Sequence, residues 1–248
     1  MFNLIFTHIP KTAGSTFVEI LKKNYIRHMD CFLGNITQTG MINRLAATPK
    51  FLLDKVECLA GELPFGVHRF FDQPCQYVTF LRDPVERVIS DYYYCLLHPT
   101  KYHRLLGERF IRDNDGALWT IESNGVDMSA LSFREYLEND TLTRSNLMTR
   151  YIAGLSDDKT GTDSQVKTSD LDVAKENIKS YHIGFTKTFD ESILAFKQKF
   201  GWNDISHPLR LVYNDKKLPS KYIDPDIIKL IKEKNQLDIE LYEFARSL

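Results

Sequence analysis

No stretch of this chain approaches the roughly 20 apolar residues needed to span a bilayer, so no integral membrane segment is expected. The first ten residues, MFNLIFTHIP, lack the charged flank and the length of a secretory signal. They read instead as the start of a buried strand. Charge of one sign is also missing, because 32 Lys and Arg face 33 Asp and Glu for a net charge of −1. That balance gives no global attraction to nucleic acid or to a membrane surface, and any cationic site has to be local. The four cysteines, Cys31, Cys58, Cys75 and Cys95, show no paired metal-ligand spacing. Free thiols are expected rather than a disulfide framework and, with no leader in view, a cytoplasmic chain. Internal repeats and low-complexity linkers are absent too.

What the chain does have is enough apolar material for a full core, with 43% hydrophobic and 12% aromatic residues over 248 positions. That length suits one sizeable α/β domain, and a single domain over residues 1–248 is expected. Short apolar or β-branched runs at residues 3–8, 57–61, 76–81 and 181–186 predict strands. Between them, Phe17, Ile20, Leu21 and Tyr25 recur at helical spacing, as do Val85, Val88, Ile89, Tyr92, Tyr93 and Leu96. Further helices are predicted over 189–200 and, as one long closing helix, over 225–245. Residues 99–127 read as a polar excursion from the core, and residues 156–169 as the most loop-like segment. Strands alternating with helices predict a mostly parallel sheet in a three-layer domain.

The strongest local signal lies between the first strand and the first helix, at Pro10-Lys11-Thr12-Ala13-Gly14-Ser15-Thr16. Backbone N–H groups and the helix dipole at such a junction favour an anion. Ala13 and Gly14 keep the loop small, Ser15 and Thr16 add hydroxyls, and Lys11 adds a positive charge. A tight turn with a surface lysine is the ordinary alternative. The spacing is not that of a Walker A loop, whose lysine follows the last glycine, whereas Lys11 precedes Gly14. An NTPase is therefore disfavoured, and no metal is required.

Residues 6–16, FTHIPKTAGST, resemble the 5′-phosphosulfate loop of sulfotransferases that use 3′-phosphoadenosine-5′-phosphosulfate (PAPS). The likeness is closest to the carbohydrate branch of heparan and dermatan 2-O-sulfotransferases and their bacterial relatives. It implies a P-loop-like fold, PAPS as donor and 3′,5′-ADP (PAP) as product. Residues 80–90, FLRDPVERVIS, are an independent match to the family's 3′-phosphate motif, in which a strand-end arginine is followed by a serine eight positions on. The resemblance implies that Arg82 and Ser90 hold the 3′-phosphate that PAPS carries and ATP lacks; Arg87 reads as a helix-surface residue. Weaker likeness extends over 146–151, 182–192 and 235–238, and Lys216 and Lys217 are candidate phosphate contacts.

Sulfuryl transfer needs in-line alignment, charge at the leaving oxygen and a base for the acceptor hydroxyl. Lys11 suits the leaving oxygen. For the base, relatives in this branch often carry histidine after glycine, where this chain has Gly61-Glu62. Glu62 and His68 both stand as candidates, the latter with an ordinary pKa near 6.5. His8, on the first strand, reads as a core histidine. The basic stretch His98, Lys101, His103, Arg104, Arg109 and Arg112, followed by Trp119, suits an anionic saccharide or a solvated hairpin equally. A hydroxyl acceptor, by the resemblance a sugar, is thus the expected partner. Two rival functions stay open: a P-loop-type nucleotide or small-molecule kinase, and a non-catalytic PAPS/PAP-binding module.

Overall fold

Asn3–Thr7 forms strand β1, and all five of its residues are buried, as befits a central parallel strand covered on both faces. It belongs to a computed structural model that describes residues 3–31, 38–97, 110–112, 118–120, 132–138, 145–156, 165–207, 220 and 223–248. After β1 come helix α1 (Gly14–Asn24), β2 (His28–Cys31), α2 (Gln38–Ala47), the short α3 (Lys50–Leu53), β3 (Cys58–Gly61) and β4 (Cys75–Leu81). Then follow α4 (Pro84–Leu97), β5 (Phe110–Arg112), β6 (Leu118–Thr120), α5 (Phe133–Glu138), α6 (Leu147–Ala153) and α7 (Thr168–Ile178). The chain closes with β7 (Tyr181–Phe185), α8 (Phe189–Phe200), α9 (Pro225–Lys234) and α10 (Gln236–Arg246).

Contacts divide the chain into two compact units: Met1–Pro84 with Asn146–Leu211 and Asn235–Leu248, and Val85–Ser145 with Val212–Lys234. The first unit holds a parallel five-stranded sheet in the order β2-β3-β1-β4-β7. Strand alternation sends Leu4, Phe6, Ala60, Val78 and Phe80 to one face, where Phe17, Ile20 and Leu21 of α1 and Ile193 and Phe196 of α8 cover them. Ile5, Leu59, Tyr77 and Leu81 point to the other face, against Met148 and Tyr151 of α6, Leu171 and Ala174 of α7 and Leu241 of α10. This is the expected α/β architecture in three layers. In the second unit, Val88 and Ile89 of α4 pack with Tyr136, Leu137, Ile227 and Ile231, and β5 pairs antiparallel with β6.

Three local expectations change. The closing helix is two helices broken at Asn235, because side chains from another part of the chain cap the new N-terminus. Asn146 Oδ1 accepts from the Leu237 and Asp238 N–H groups at 3.0 and 3.2 Å. Arg87 is fully buried, not at the helix surface, with Nη1 3.6 Å from Asp91 one turn later. The segment read as loop up to residue 169 is helical from Thr168, where the Asp170 carboxylate accepts from the Lys167 N–H at 2.7 Å. Cys31, Cys58 and Cys75 are free thiols. Among the described residues no helix is long and apolar enough to cross a membrane.

Candidate active site

The sheet has one topological switch point. From β1 the chain crosses to β2 at one edge, and from β4 it proceeds to β7 at the other. The two connections diverge from neighbouring strands, and ligands of open α/β sheets collect in the crevice beyond such carboxyl ends. The residues leaving β1 are 8–13, and the residue leaving β4 is Arg82. They meet: Arg82 Nη1 donates to the Lys11 carbonyl at 3.1 Å. The two sequence motifs, separated by 71 positions, thus form one piece of structure.

The loop itself is tightly specified. Lys11 and Ala13 both adopt left-handed backbone conformations, with φ of 70° and 68°, unusual for residues with a Cβ. Thr12 is buried and its hydroxyl donates to the Ile9 carbonyl at 2.7 Å, so that hydroxyl ties the loop down from inside. Ala13 precedes α1 without supplying a side-chain cap, and no acidic residue lies in the first helical turn. Neither the Ala13 side chain nor the first turn therefore offsets the positive end of α1. Ser15 is exposed there and Thr16 is buried.

Gly14 has a second reason to be glycine. A Cβ on it would fall 1.7 Å from His8 Cδ2, so the imidazole occupies the space a side chain would need. His8 is buried, its ring stacks obliquely on Phe6 at 5.6 Å, and its backbone N–H donates to the Gly61 carbonyl at 2.8 Å. Burial, and then the Lys11 charge, push the imidazole down to about 4, so it is neutral near pH 7.

Glu62 follows β3 as His8 follows β1. Thr7 and Gly61 are register partners, which makes His8 and Glu62 the next pair outward. The Glu62 N–H donates to the Cys31 carbonyl at 3.1 Å, and Gln38 Nε2 donates to the Glu62 carbonyl at 2.8 Å. Glu62 Oε1 lies 3.9 Å from His8 Nδ1. Gly61 leaves no room for a larger residue, since a Cβ there would sit 2.1 Å from the Cys31 carbonyl oxygen.

The other base candidate is held elsewhere. His68 is exposed on the short 3₁₀ turn Val67–Phe70, with Nδ1 2.9 Å from the Tyr77 hydroxyl. That hydroxyl accepts from the Gly66 and His68 N–H groups, both at 3.1 Å, so its own proton goes to Nδ1. Burial, then the Arg69 charge, lower the His68 pKa. Tyr77 belongs to the core on the sheet face opposite Phe6 and Ala60. The structure thus joins Lys11 and Arg82 at the switch point, sets Gly14 and Glu62 on either side of His8, and ties His68 to the far face.

Ser90 lies half-buried in α4, which begins at Pro84 as the proline predicts. Lys101, His98, His103, Arg104, Arg109, Lys216 and Lys217 fall outside the described residues. Arg112 and Trp119 lie in β5 and β6, described for their backbone only. Sequence reasoning left His8 out of the site. The signal that finds it is register, since both strands end one residue before a titratable side chain.

Heparan-sulfate 6-O-sulfotransferase 1 of Cricetulus griseus is 25% identical over 276 aligned positions, covering 99% of this chain and 66% of that protein. Heparan-sulfate 6-O-sulfotransferase 2 of Gallus gallus is 26% identical over 278 positions, covering 99% and 66%. The chain spans just under two thirds of the length of these relatives. Among solved structures, mouse sulfotransferase SULT7A1 complexed with PAP aligns with a TM-score of 0.49 at 13% identity, over 100% of this chain and 89% of that one. The profile of the sulfotransferase family matches residues 2–245, and the chain belongs to that family.

Proposed function

We propose that this chain transfers a sulfuryl group from PAPS to a carbohydrate hydroxyl. The observation that carries the reading is the junction at the switch point, where Arg82 binds the carbonyl of Lys11 in a loop that feeds a helix N-terminus to which Ala13 gives no side-chain cap. The donor has phosphates on both its 5′ and 3′ oxygens, and the residues present suit both. Lys11, the Ser15 hydroxyl and the first N–H groups of α1 would hold the 5′-phosphosulfate, with Thr12, Ala13, Gly14 and Thr16 shaping the loop. Arg82 and Ser90 would hold the 3′-phosphate. The saccharide class of acceptor is supported by the heparan-sulfate sulfotransferases that the chain resembles.

In this reading the acceptor oxygen attacks sulfur while Glu62 removes the hydroxyl proton. The bond from sulfur to the bridging oxygen breaks, and the electron pair stays with the departing PAP. Lys11 stabilises that oxygen as its charge develops, an interaction worth most in the transition state. Glu62 is preferred to His68 because it leaves the sheet beside the Lys11 loop, whereas Tyr77 holds His68 on the far face.

The test is incubation with PAPS and a panel of oligosaccharides while 3′,5′-ADP release is followed by chromatography. Acceptor-dependent release supports the proposal. Tight 3′,5′-ADP binding without release on any acceptor assigns a binding module instead. Stronger thermal stabilisation by ATP with magnesium than by 3′,5′-ADP overturns the proposal in favour of a kinase.

A further inference from the structure

His8 and Glu62 are brought together by backbone geometry alone. They follow register partners Thr7 and Gly61 on adjacent parallel strands, so their side chains leave the sheet on the same face. His8 is pinned by its backbone N–H on the Gly61 carbonyl, by Phe6 beside its ring and by Gly14 against its edge. Glu62 is pinned through its main chain on both sides, by Cys31 and by Gln38. The ring nitrogen facing the Glu62 carboxylate is His8 Nδ1, 3.9 Å from Oε1.

We propose that His8 is a positioning residue for Glu62, donating its Nδ1–H to one carboxylate oxygen so that the other is aimed at the acceptor hydroxyl. This rests on the reading of Glu62 as the base. At 3.9 Å the pair stands one small side-chain rotation outside hydrogen-bond range, and such contacts commonly close only when substrate is bound. No proton moves between the two groups. The Nδ1–H bond stays intact throughout, and the substrate proton ends on Glu62. A neutral imidazole suits this role, because an imidazolium would form an ion pair and weaken the base. Burial and the nearby Lys11 keep the ring neutral. The side chain that fills the space over Gly14 therefore links the phosphate loop to the proposed base.

Long-range ¹H–¹⁵N NMR of the histidine side chains, recorded with saturating 3′,5′-ADP, reads the tautomer directly, with His8 assigned by its loss in His8→Asn. The Nδ1–H form is expected in the parent protein and the Nε2–H form in Glu62→Leu. The same tautomer in both overturns the proposal. In turnover with PAPS, His8→Leu is expected to lower kcat about 10–100-fold, with KM for the donor and 3′,5′-ADP affinity within about twofold. His8→Asn, whose amide N–H sits where Nδ1–H does, should recover most of that loss. If His8→Leu weakens nucleotide binding as much as turnover, or if Asn fails to rescue, His8 is only a packing residue. A tautomer that follows Glu62 in a protein with no sulfuryl transfer keeps the pairing and overturns the function assigned to Glu62.

Discussion

Arg82 Nη1 donates to the carbonyl oxygen of Lys11 at 3.1 Å, so the arginine proposed for the 3′-phosphate also braces the loop proposed for the 5′-phosphosulfate. Removing it should therefore act at both ends of the nucleotide. A charge-assisted bond to phosphate is worth about 1.5–3 kcal/mol. Arg82→Ala is expected to weaken 3′,5′-ADP binding by about 10–150-fold, and 5′-AMP binding by a smaller but measurable factor. Ser90→Ala, which lacks the bracing role, should weaken 3′,5′-ADP alone. Calorimetry with both nucleotides in the presence of a chelator separates the cases. Equal losses for the two nucleotides in Arg82→Ala would take the 3′-phosphate away from Arg82.

Asp238 and Asn146 support the sheet from behind by capping each other's helices. Asp238 is fully buried and accepts from the Thr149 N–H at 2.7 Å, the Thr149 hydroxyl at 2.8 Å and the Met148 N–H at 3.1 Å. In return Asn146 caps α10 and donates its own N–H to Asn235 Oδ1 at 3.1 Å. Truncation leaves buried donors without an acceptor, so Asp238→Ala should cost about 3 kcal/mol of stability. Asp238→Asn keeps one acceptor oxygen and should cost about half of that. Urea unfolding decides it: a lower midpoint at unchanged slope is expected, and a midpoint within experimental scatter of the parent would show that the caps contribute little.

How much of this was legible in the sequence depends on how local each feature is. Strands β1, β3, β4 and β7 were readable because buried parallel strands carry continuous apolar runs, and residues 76–81 came within one residue of β4, Cys75–Leu81. Strand β2 escaped notice because only Cys31 of its four residues is buried, leaving no apolar signature at this sheet edge. The break at Asn235 escaped because its cap comes from Asn146, far away in sequence, while the apolar periodicity continues across it. Arg87 misled for the opposite reason: charge predicts exposure, and only tertiary packing buries it beside Asp91. In the site, the Lys11 loop was legible because a helix N-terminus is written in consecutive residues. The His8–Glu62 contact was not, because it depends on how two strands 54 positions apart align, Thr7 opposite Gly61.

His8 also sets a pH dependence of stability. Its folded pKa is depressed from 6.5 to about 4, by burial first and the Lys11 charge second. Below pH 6.5 the unfolded chain binds a proton at this site that the folded chain does not. Its contribution is therefore fully present above pH 6.5 and is lost as the pH falls toward 4. A depression of this size corresponds to about 3 kcal/mol. The unfolding free energy of the parent should fall across that window, and the fall should be shallower in His8→Asn, whose amide does not titrate. His68 and His182 are also lowered by burial, but they are common to both proteins and cancel in the difference. Parallel curves for parent and variant from pH 6.5 to 4 would mean that His8 is protonated as readily in the fold as outside it.

The last prediction separates the two candidate bases. Glu62 leaves β3 at the carboxyl edge of the sheet, half-buried, with its carboxylate 3.9 Å from His8 and its backbone fixed by Cys31 and Gln38. His68 spends its Nδ1 on Tyr77, a residue whose register partners are Ile5 and Tyr181 and which lies four positions before the carboxyl end of β4. Tyr77 belongs to the core on the sheet face opposite Phe6 and Ala60, and its hydroxyl holds His68 there. Glu62→Gln preserves shape and removes basicity, and should lower turnover by about 10²–10⁴-fold while 3′,5′-ADP affinity stays near that of the parent. His68→Asn, whose amide oxygen can accept from the Tyr77 hydroxyl in place of Nδ1, should change turnover by no more than about threefold and stability by no more than about 1 kcal/mol. Single-turnover measurements with preloaded donor isolate the chemical step from product release. If His68→Asn abolishes that step while Glu62→Gln retains it, the proton leaves the acceptor on the other face of the sheet and the base assigned here is wrong.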